Sequence, residues 1–341
     1  MLAFDKRFLT KRRLFASVTV SLLITNILFL SSCTEQILGE SPGLSELEAA
    51  PKAVNVMVAV GDVMLSRTVG DIIRAIDDPN APFLETVEIM EEADIAFCNL
   101  ESPFYDREPQ NGDRMIFGAG SETVEGLKYA GFDIVSLANN HFGDQGTAGM
   151  NFTFSHLAEN EIKYAGAGEN EVKAREPVII EQNGVKFAFL GYNDVKLAVH
   201  NDYAATADKP GIAVLTRDHL IQDIKYAKER AHVVVVSIHW GVEYEKTPTE
   251  RQITFAHLAI DSGASLVFGH HPHVIQPVEE YKGGYIFYSL GNFVFDQMWS
   301  EATRIGLIAR IFFQGGEIER VETIEVTIYD SHQPAVSDDG L

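Results

Sequence analysis

The sequence has 341 residues, of which 46% are hydrophobic and 22% are charged. This composition excludes an intrinsically disordered chain and suffices for one large domain or two medium ones. The formal net charge of -22 at pH 7 repels phosphate backbones and anionic headgroups, so nucleic acid is not an expected partner and an anionic substrate needs a local cation.

Residues 1–33 have the pattern of a lipoprotein signal peptide. Five basic residues precede the apolar run "LFASVTVSLLITNILFL", and "LSSC" resembles a bacterial lipobox in which Cys33 receives lipid. The alternative is an uncleaved transmembrane anchor, because the run comes close to the length that spans a bilayer. Both interpretations predict an extracytoplasmic protein anchored to the cell membrane, on its outer leaflet or periplasmic face.

The rest of the chain divides into a tether, a domain and a tail. Residues 34–53 are polar and acidic with two prolines, which predicts a flexible tether. One domain is expected over residues 54–330, followed by a C-terminal tail at 331–341. Removing residues 1–32, which carry five positive charges and one negative charge, leaves a net charge of -26. Cys98 lies in an apolar run and is expected to be a buried small side chain, with a catalytic thiol as the alternative.

Short apolar runs rich in β-branched and aromatic residues predict strands that are covered on both faces. These runs are residues 54–62, 93–101, 132–141, 185–194, 231–241, 264–273 and 284–293. Helices are predicted between them at residues 82–92, 122–130, 149–160, 216–229 and 249–262. The alternation predicts an α/β domain, and a hairpin around Gly315 and Gly316 adds antiparallel strands and so a mixed sheet.

Polar side chains stand where the predicted strands end. In open α/β sheets, ligands bind outside the carboxyl ends of the strands. The residues there are Asp62, Glu101, Asn139, Asn140, His141, His239, His270, His271 and His273. Each residue taken singly can have a structural role instead: Asp62 can cap a turn or helix, His239 can be a buried core histidine, and Asn140 can be a turn residue. Repetition of the same placement predicts a site for Zn, Mn or Fe.

Six ordered motifs carry a resemblance to a known family. They are "AVGDVMLSR", "CNLESPF", "LANNHFGDQG", "SIHWGVEY", "FGHHPHVIQP" and "YSLGNFVFD". Over residues 55 to about 297 the chain resembles the CapA family of capsule synthesis proteins. That family is associated with poly-gamma-glutamate capsules and is similar to the calcineurin-like metallophosphoesterases.

The resemblance implies a four-layer αββα sandwich of two mixed sheets, with a centre of one or two divalent metal ions at one edge. The positions that match the family's metal ligands are Asp62, Glu101, Asn140, His239, His271 and His273. His141 matches the histidine that protonates a leaving group, and Asp144 can orient it or can simply be a turn residue before Gly146.

The histidine-rich segment has two interpretations. If His271-Pro272-His273 is extended, alternate imidazoles face one site and His270 points elsewhere, into packing or the outer shell. The alternative makes His270 a ligand together with His273.

The sequence departs from the calcineurin-like pattern at two places. Asp62-Val63-Met64 lacks the histidine of Asp-x-His, and Glu101 with Asn99 nearby replaces Gly-Asp-x-x-Asp. One metal position thereby loses a nitrogen ligand, so a single-ion site, or one that holds only substrate, is the alternative. The expected substrate-binding or outer-shell residues are Asn99, Asn139, Glu243, His270 and Asn292. Trp240 and Tyr244 are either site or core aromatics.

Three functional classes follow. The first is a metal-dependent hydrolase or transferase that acts on a phosphoester or a gamma-glutamyl amide. The second is a non-catalytic partner of capsule synthesis or export proteins, in which a metal ion binds an anionic polymer. The third is a structural surface lipoprotein with a degenerate site.

Overall fold

The computed structural model describes residues 52–105, 115–195 and 203–336. The predicted signal peptide with Cys33, and nearly all of the predicted tether, lie outside the described residues. Within the described part of the chain, no helix has both the length and the apolar character needed to cross a membrane.

Strands form most of the regular structure, and helices connect them. The strands are β1 (Val54–Val63), β2 (Ile95–Leu100), β3 (Phe104–Tyr105), β4 (Ala119–Gly120), β5 (Ile134–Ser136), β6 (Lys163–Ala165), β7 (Ala167–Gly168), β8 (Val178–Gln182), β9 (Val185–Asn193), β10 (Gly211–Ile212), β11 (Val233–His239), β12 (Leu266–His270), β13 (Val278–Tyr281), β14 (Gly284–Phe287), β15 (Asn292–Val294), β16 (Ile305–Gln314), β17 (Glu317–Tyr329) and β18 (Gln333–Val336). The helices are α1 (Arg67–Ile76), α2 (Val87–Met90), α3 (Val124–Tyr129), α4 (Gly146–Glu159), α5 (Glu171–Arg175), α6 (Arg217–Lys228), α7 (Glu250–Ser262) and α8 (Glu301–Arg304).

Two large mixed sheets carry the fold. The first has the order β18-β17-β16-β1-β2-β5-β6, and β15 also pairs with β1. The second has the order β13-β14-β12-β11-β9-β8. In the second sheet β9, β11, β12 and β14 are parallel, and the two edge strands are antiparallel to their neighbours. Every residue of β11 is buried, as expected for an apolar parallel strand covered on both faces.

Three hydrophobic clusters define four layers. The first lies between the first sheet and its helices and includes Val60 and Leu157. The second covers the outer face of the second sheet with α6 and α7. The third lies between the sheets, where the ring of Phe97 stacks on Phe189 and Phe268 with centroids 6.0 and 5.7 Å apart. This order of layers confirms the predicted αββα sandwich.

Several local predictions can be compared with the observed elements. β16 and β17 form the hairpin predicted around Gly315. β18 pairs with β17, so Gln333–Val336, which were predicted to be part of a C-terminal tail, belong to the sheet. The helix predicted over residues 82–92 is wrong, because a 3₁₀ helix at Ala81–Phe83 and the short α2 replace it. Thr86 lies between the two, and its hydroxyl donates to the carbonyl of Phe83 at 3.3 Å.

The ends of strands from both sheets meet at one edge. Asp62 stands beside Asn99 of β2 and Asn292 of β15, and β11 and β12 end side by side in the second sheet. Gly61 permits this approach, because a Cβ at that position would lie 2.0 Å from the carbonyl oxygen of Gly291. A side chain at residue 61 would therefore push β1 away from the turn before β15.

Candidate metal centre

Asp62 lies at the centre of the cluster and is fully buried. Asn99 Nδ2 donates to Oδ1 at 2.9 Å, and the backbone N–H of His271 donates to Oδ2 at 3.2 Å. Nδ1 of His270 is 3.2 Å from Oδ1, and Nδ1 of His273 is 3.4 Å from Oδ2. Burial by itself raises the pKa of Asp62, but the two imidazoles hold that pKa well below its usual value. Asp62 is therefore a carboxylate, the form that binds a cation.

Glu101 is the second buried acid of the cluster. Its backbone N–H donates to the carbonyl of Val63 at 2.8 Å, which ties it to β1. Asn99 Nδ2 lies 3.4 Å from Oε2, and Asn139 Nδ2 in turn donates to Asn99 Oδ1 at 3.2 Å and to the carbonyl of Leu100 at 2.9 Å. The two asparagines thus hold the acids rather than face solvent.

The two acids and a third carboxylate repel one another. Burial raises the pKa of Glu101 well above its usual value, and the negative charges of Asp62 and Glu243 raise it further, against the opposing charge of Arg67. A divalent cation beside the carboxylates offsets this repulsion and favours the ionised form.

His239, at the end of β11, supplies a neutral imidazole. Its Nε2 lies 2.7 Å from Asn140 Oδ1, and its Nδ1 lies 3.4 Å from Asn99 Nδ2. Burial lowers the pKa of His239 well below its usual value, and the imidazole of His271 lowers it further. Neutral imidazole is the form that binds metal.

The turn that follows β12 is not extended, so that prediction is wrong. The φ angles are 94° at His271 and 57° at His273, in the left-handed region. Tyr244 fixes the turn by donating its backbone N–H to the carbonyl of Pro272 at 2.8 Å, and the N–H of His271 is held by Asp62. The two imidazoles nevertheless share a site, with ring centroids 5.9 Å apart. Left-handed backbone at non-glycine residues persists only where the surroundings enforce it.

His270 is fully buried, and its ring centroid lies 6.1 Å from that of Phe97. Neither of its ring nitrogens makes a hydrogen bond, although Nδ1 approaches Asp62. Its contacts fit both interpretations, as a ligand and as a packing residue, and its role stays a prediction.

His273 has a fixed orientation. Its Nδ1 lies 2.9 Å from Asn292 Oδ1, and its Nε2 lies 3.7 Å from Oε1 of Glu101. Asn292 is itself held, because its Nδ2 donates to the carbonyl of Thr303 at 2.8 Å. Burial, followed by the neighbouring His273, lowers the pKa of His271 to about 3, so His271 is neutral at pH 7.

The donor set fits a divalent metal. Two groups each place one ligand atom per residue within 4.8 Å of one another: Asp62, Glu101 and His239, and Glu243, His271 and His273. Buried atoms without a hydrogen-bond partner also collect here, namely Oε1 of Glu101, both ring nitrogens of His270 and Nδ1 of His271. Carboxylate oxygens and imidazole nitrogens suit Zn, Mn and Fe. The number and identity of the ions stay predictions.

His141 and Asp144 form a pair beside these acids. Nδ1 of His141 lies 2.8 Å from Oδ2 of Asp144, and Nε2 lies 4.0 Å from Oε1 of Glu101. The ring of Phe117 stacks on the imidazole at a centroid distance of 3.7 Å and an angle of 14°, and its N–H donates to Asp144 at 2.7 Å. The carboxylate of Asp144 accepts a hydrogen bond from the N–H at Nδ1. Nε2 therefore faces the acids and is the nitrogen that can exchange a proton with a bound group.

The aromatic residues near the site differ in role. Trp240 is buried and donates Nε1 to the carbonyl of Tyr288 at 2.9 Å, so it is a core residue. Tyr244 is 44% exposed and Trp299 is 63% exposed, and their rings meet edge to face at 5.9 Å. Together with the exposed Glu243, these two rings form the solvent side of the site.

Within the described residues, the structure brings the predicted site residues together at one edge of the sheets. Cys33 is not among the described residues. Phe117 and Arg67 were not predicted to belong to the site. Phe117 lies in none of the six motifs and has no acid-base or metal-binding group, and Arg67 is the last residue of the first motif. Their relation to His141 arises from contacts between distant segments.

Comparison with known proteins is consistent with this geometry. Residues 56–297 match the family described as bacterial capsule synthesis protein PGA_cap. The chain belongs to this family. The capsule biosynthesis protein CapA of Bacillus anthracis is 38% identical over 260 residues, which are 74% of this chain and 62% of that protein. The PGA biosynthesis protein CapA of Bacillus subtilis (strain 168) is 34% identical over 285 residues, 83% of this chain and 74% of the relative.

These relatives confirm the resemblance to CapA, and the chain spans less than two thirds of the length of the Bacillus anthracis protein. Among solved structures, the NAD nucleotidase NadN of Haemophilus influenzae matches with a TM-score of 0.50 at 9% identity, over 85% of this chain and 54% of that one. At this identity the likeness concerns the fold, and it agrees with the predicted calcineurin-like architecture of this PGA_cap member.

Proposed function

We propose that this PGA_cap family member is a metal-dependent hydrolase of capsule or poly-gamma-glutamate synthesis that cleaves a phosphoester or a gamma-glutamyl amide. The observation that carries the proposal is the position of Nε2 of His141, with Nδ1 held by Asp144, next to buried acids and neutral imidazoles that suit a metal. The family and the names of its Bacillus relatives support the link to capsule synthesis.

The chain's own residues divide the chemistry among them. Asp62, Glu101 and His239 would hold one ion, and Glu243, His271 and His273 would hold a second. A bound ion supplies Lewis acidity and lowers the pKa of water. His141 protonates the departing oxygen or nitrogen from Nε2, while Asp144 holds Nδ1–H and stabilises the imidazolium that donates this proton.

Metal content is the first test of the proposal. The full-length chain, Asp62→Asn and His271→Ala are incubated with Mn, Zn or Fe, freed of excess ion and analysed by mass spectrometry. One or two equivalents in the wild type and a loss in both variants are expected. His257→Ala is the matched control, because His257 pairs with Glu279 and lies outside both metal groups. Equal metal in all four proteins would contradict the site.

Turnover then separates hydrolysis from binding. Bis(p-nitrophenyl) phosphate and gamma-glutamyl p-nitroanilide report on the two candidate bonds, and activity that is lost in Asp62→Asn and His239→Ala supports the hydrolase.

The second candidate is a non-catalytic subunit that uses the metal to bind an anionic polymer. Because a net charge of -22 repels polyglutamate, polymer binding in this role needs a bridging metal ion or a local basic patch. Metal-dependent polymer binding without turnover would select this candidate.

The proposal includes a lipid anchor on Cys33 and an extracytoplasmic site, in contact with capsule synthesis or export proteins. Its support is the order of basic residues, apolar run and lipobox-like "LSSC". Labelling cells with a palmitate analogue tests it: the wild type is expected to carry the label and Cys33→Ser to lose it. A label that persists in the variant would point to another anchor.

A further inference from the structure

Phe117 lies between a cation and the imidazole of the proposed acid. Its ring covers His141 at a centroid distance of 3.7 Å and an angle of 14°. Cζ of Arg67 is 4.6 Å from the centroid of the same ring. Because the imidazole fills one face of Phe117 at contact distance, the guanidinium lies over the other face. A cation over an aromatic face is attracted by the ring's quadrupole, so Arg67, Phe117 and His141 form one stack.

Arg67 is itself held from several sides. Its guanidinium is paired with Asp296, whose Oδ2 also accepts the backbone N–H of Thr68 at 3.2 Å. A second ring, that of Phe295, lies 5.3 Å from Cζ of Arg67. The φ angle of Arg67 is 50°, a left-handed conformation that persists in a non-glycine residue only where the surroundings enforce it.

The pair of His141 and Asp144 does not by itself fix the imidazole. One hydrogen bond at Nδ1 leaves the ring free to tilt about that bond, and a tilt moves Nε2 away from the leaving group. A flat aromatic contact removes this freedom, because the ring of His141 must stay parallel to that of Phe117. Phe117 in turn keeps its place by donating its N–H to Asp144 and by its contact with Arg67.

We infer that Arg67 is a positioning residue for His141, acting through Phe117, so that Nε2 faces the leaving group. The inference rests on the proposed function for the role of His141. Arg67 also links His141 to the metal-binding acids along the chain, because Arg67 begins α1 shortly after β1, the strand that ends with Asp62 and Val63.

Leaving-group dependence tests the inference in the full-length protein. p-Nitrophenolate departs without a proton, whereas an alkoxide needs one, so only the second reaction depends on the orientation of His141. With glycerophosphoethanolamine, Arg67→Met is expected to lower kcat by at least about tenfold without a matching change in KM. With bis(p-nitrophenyl) phosphate the change is expected to stay below about threefold.

Two further variants sharpen the comparison. Arg67→Lys keeps a cation over Phe117 and is expected to restore much of the alkyl phosphodiester activity. Arg320→Met is the matched control, because Arg320 also lies over a phenylalanine, at 3.7 Å from Phe312, near the far end of β1. Equal losses with both substrates, or no loss in Arg67→Met, would overturn the inference. If Arg67→Met does not fold, Arg67→Gln takes its place.

Proton NMR of the histidine rings tests the orientation of His141 without a measurement of enzyme activity. The ring current of Phe117 shifts the His141 ring protons upfield, and Phe117→Leu defines the spectrum without that contact. Arg67→Met is expected to move these resonances toward the Phe117→Leu positions, while Arg320→Met leaves them in place. Unchanged resonances in Arg67→Met would refute the inference. A wild type without turnover would refute the proposed hydrolase, and the NMR result would still decide whether Arg67 orients His141.

Discussion

Nδ1 of His270 lies 3.2 Å from Oδ1 of Asp62, although the two residues belong to different sheets. Asp62 is on β1 of the first sheet, and His270 ends β12 of the second. The candidate metal centre therefore depends on the contact between the sheets, since each sheet supplies part of the ligand set.

The stacked rings between the sheets are expected to contribute much of this contact. Phe97 is buried against Phe189 and Phe268, so Phe97→Ala removes a large side chain and leaves a cavity. The free energy of unfolding is expected to fall by about 3–5 kcal/mol, measured by urea denaturation. Tyr226→Ala is the control, because Tyr226 is 47% exposed. Similar losses in the two variants would contradict the role assigned to the inter-sheet core.

Metal binding is expected to stabilise the fold. A ligand that binds only the folded state at about 100 times its Kd adds about 2.7 kcal/mol to the free energy of unfolding. Added Mn or Zn should therefore raise the Tm of the wild type, and chelation should reverse the change. Asp62→Asn, which weakens the central ligand, should respond little, while the control His257→Gln should behave as the wild type does. A response of Asp62→Asn equal to that of the wild type would exclude Asp62 as a ligand.

The pair of His141 and Asp144 predicts a large effect of Asp144→Asn. An asparagine side chain carries no negative charge, so it no longer stabilises the imidazolium of His141 from which the leaving group takes its proton. We expect kcat with an alkyl phosphodiester to fall by about 10²- to 10⁴-fold. Metal content should stay at the wild-type value, because Asp144 is in neither metal group. An activity near that of the wild type would mean that Asp144 is only a turn residue and does not act through His141.

Stability of the metal-free protein is expected to depend on pH through His271. Burial lowers its pKa in the folded state to about 3, against an ordinary value of 6.5. Between these values the unfolded chain binds a proton that the folded chain does not, so acidification favours unfolding. The free energy of unfolding therefore falls by up to about 1.4 kcal/mol for each pH unit as the pH decreases from about 6.5 towards 3.

His271→Asn removes this titration and keeps a residue that tolerates a left-handed backbone. Urea denaturation of both metal-free proteins between pH 7 and pH 4 measures the difference. The wild type should lose more stability than the variant over this range. Parallel curves would show that the imidazole of His271 is accessible to protons in the folded state.

The sequence anticipated much of the fold, because burial and side-chain periodicity are local properties. The apolar run at residues 231–241 contains β11, and Thr249 begins α7 with the capping box that its hydroxyl and Gln252 form. The helix predicted over residues 82–92 is instead a 3₁₀ helix at Ala81–Phe83 and the short α2, and apolar periodicity does not distinguish these from one continuous helix. The left-handed turn at His271 and His273 was missed because hydrogen bonds from distant segments impose it, one from the backbone N–H of Tyr244 and one to the carboxylate of Asp62.

Residue type and order along the chain were sufficient to predict the α/β class, the polar residues at the strand ends and their suitability as metal ligands. The folded protein was needed to show which of these side chains meet, how Asn292 orients His273, and that Phe117 stacks on His141 with Arg67 over the same phenylalanine ring. These contacts could not be predicted because two sheets packed face to face bring together residues from distant segments, and the pattern of a single strand or helix does not encode those distances.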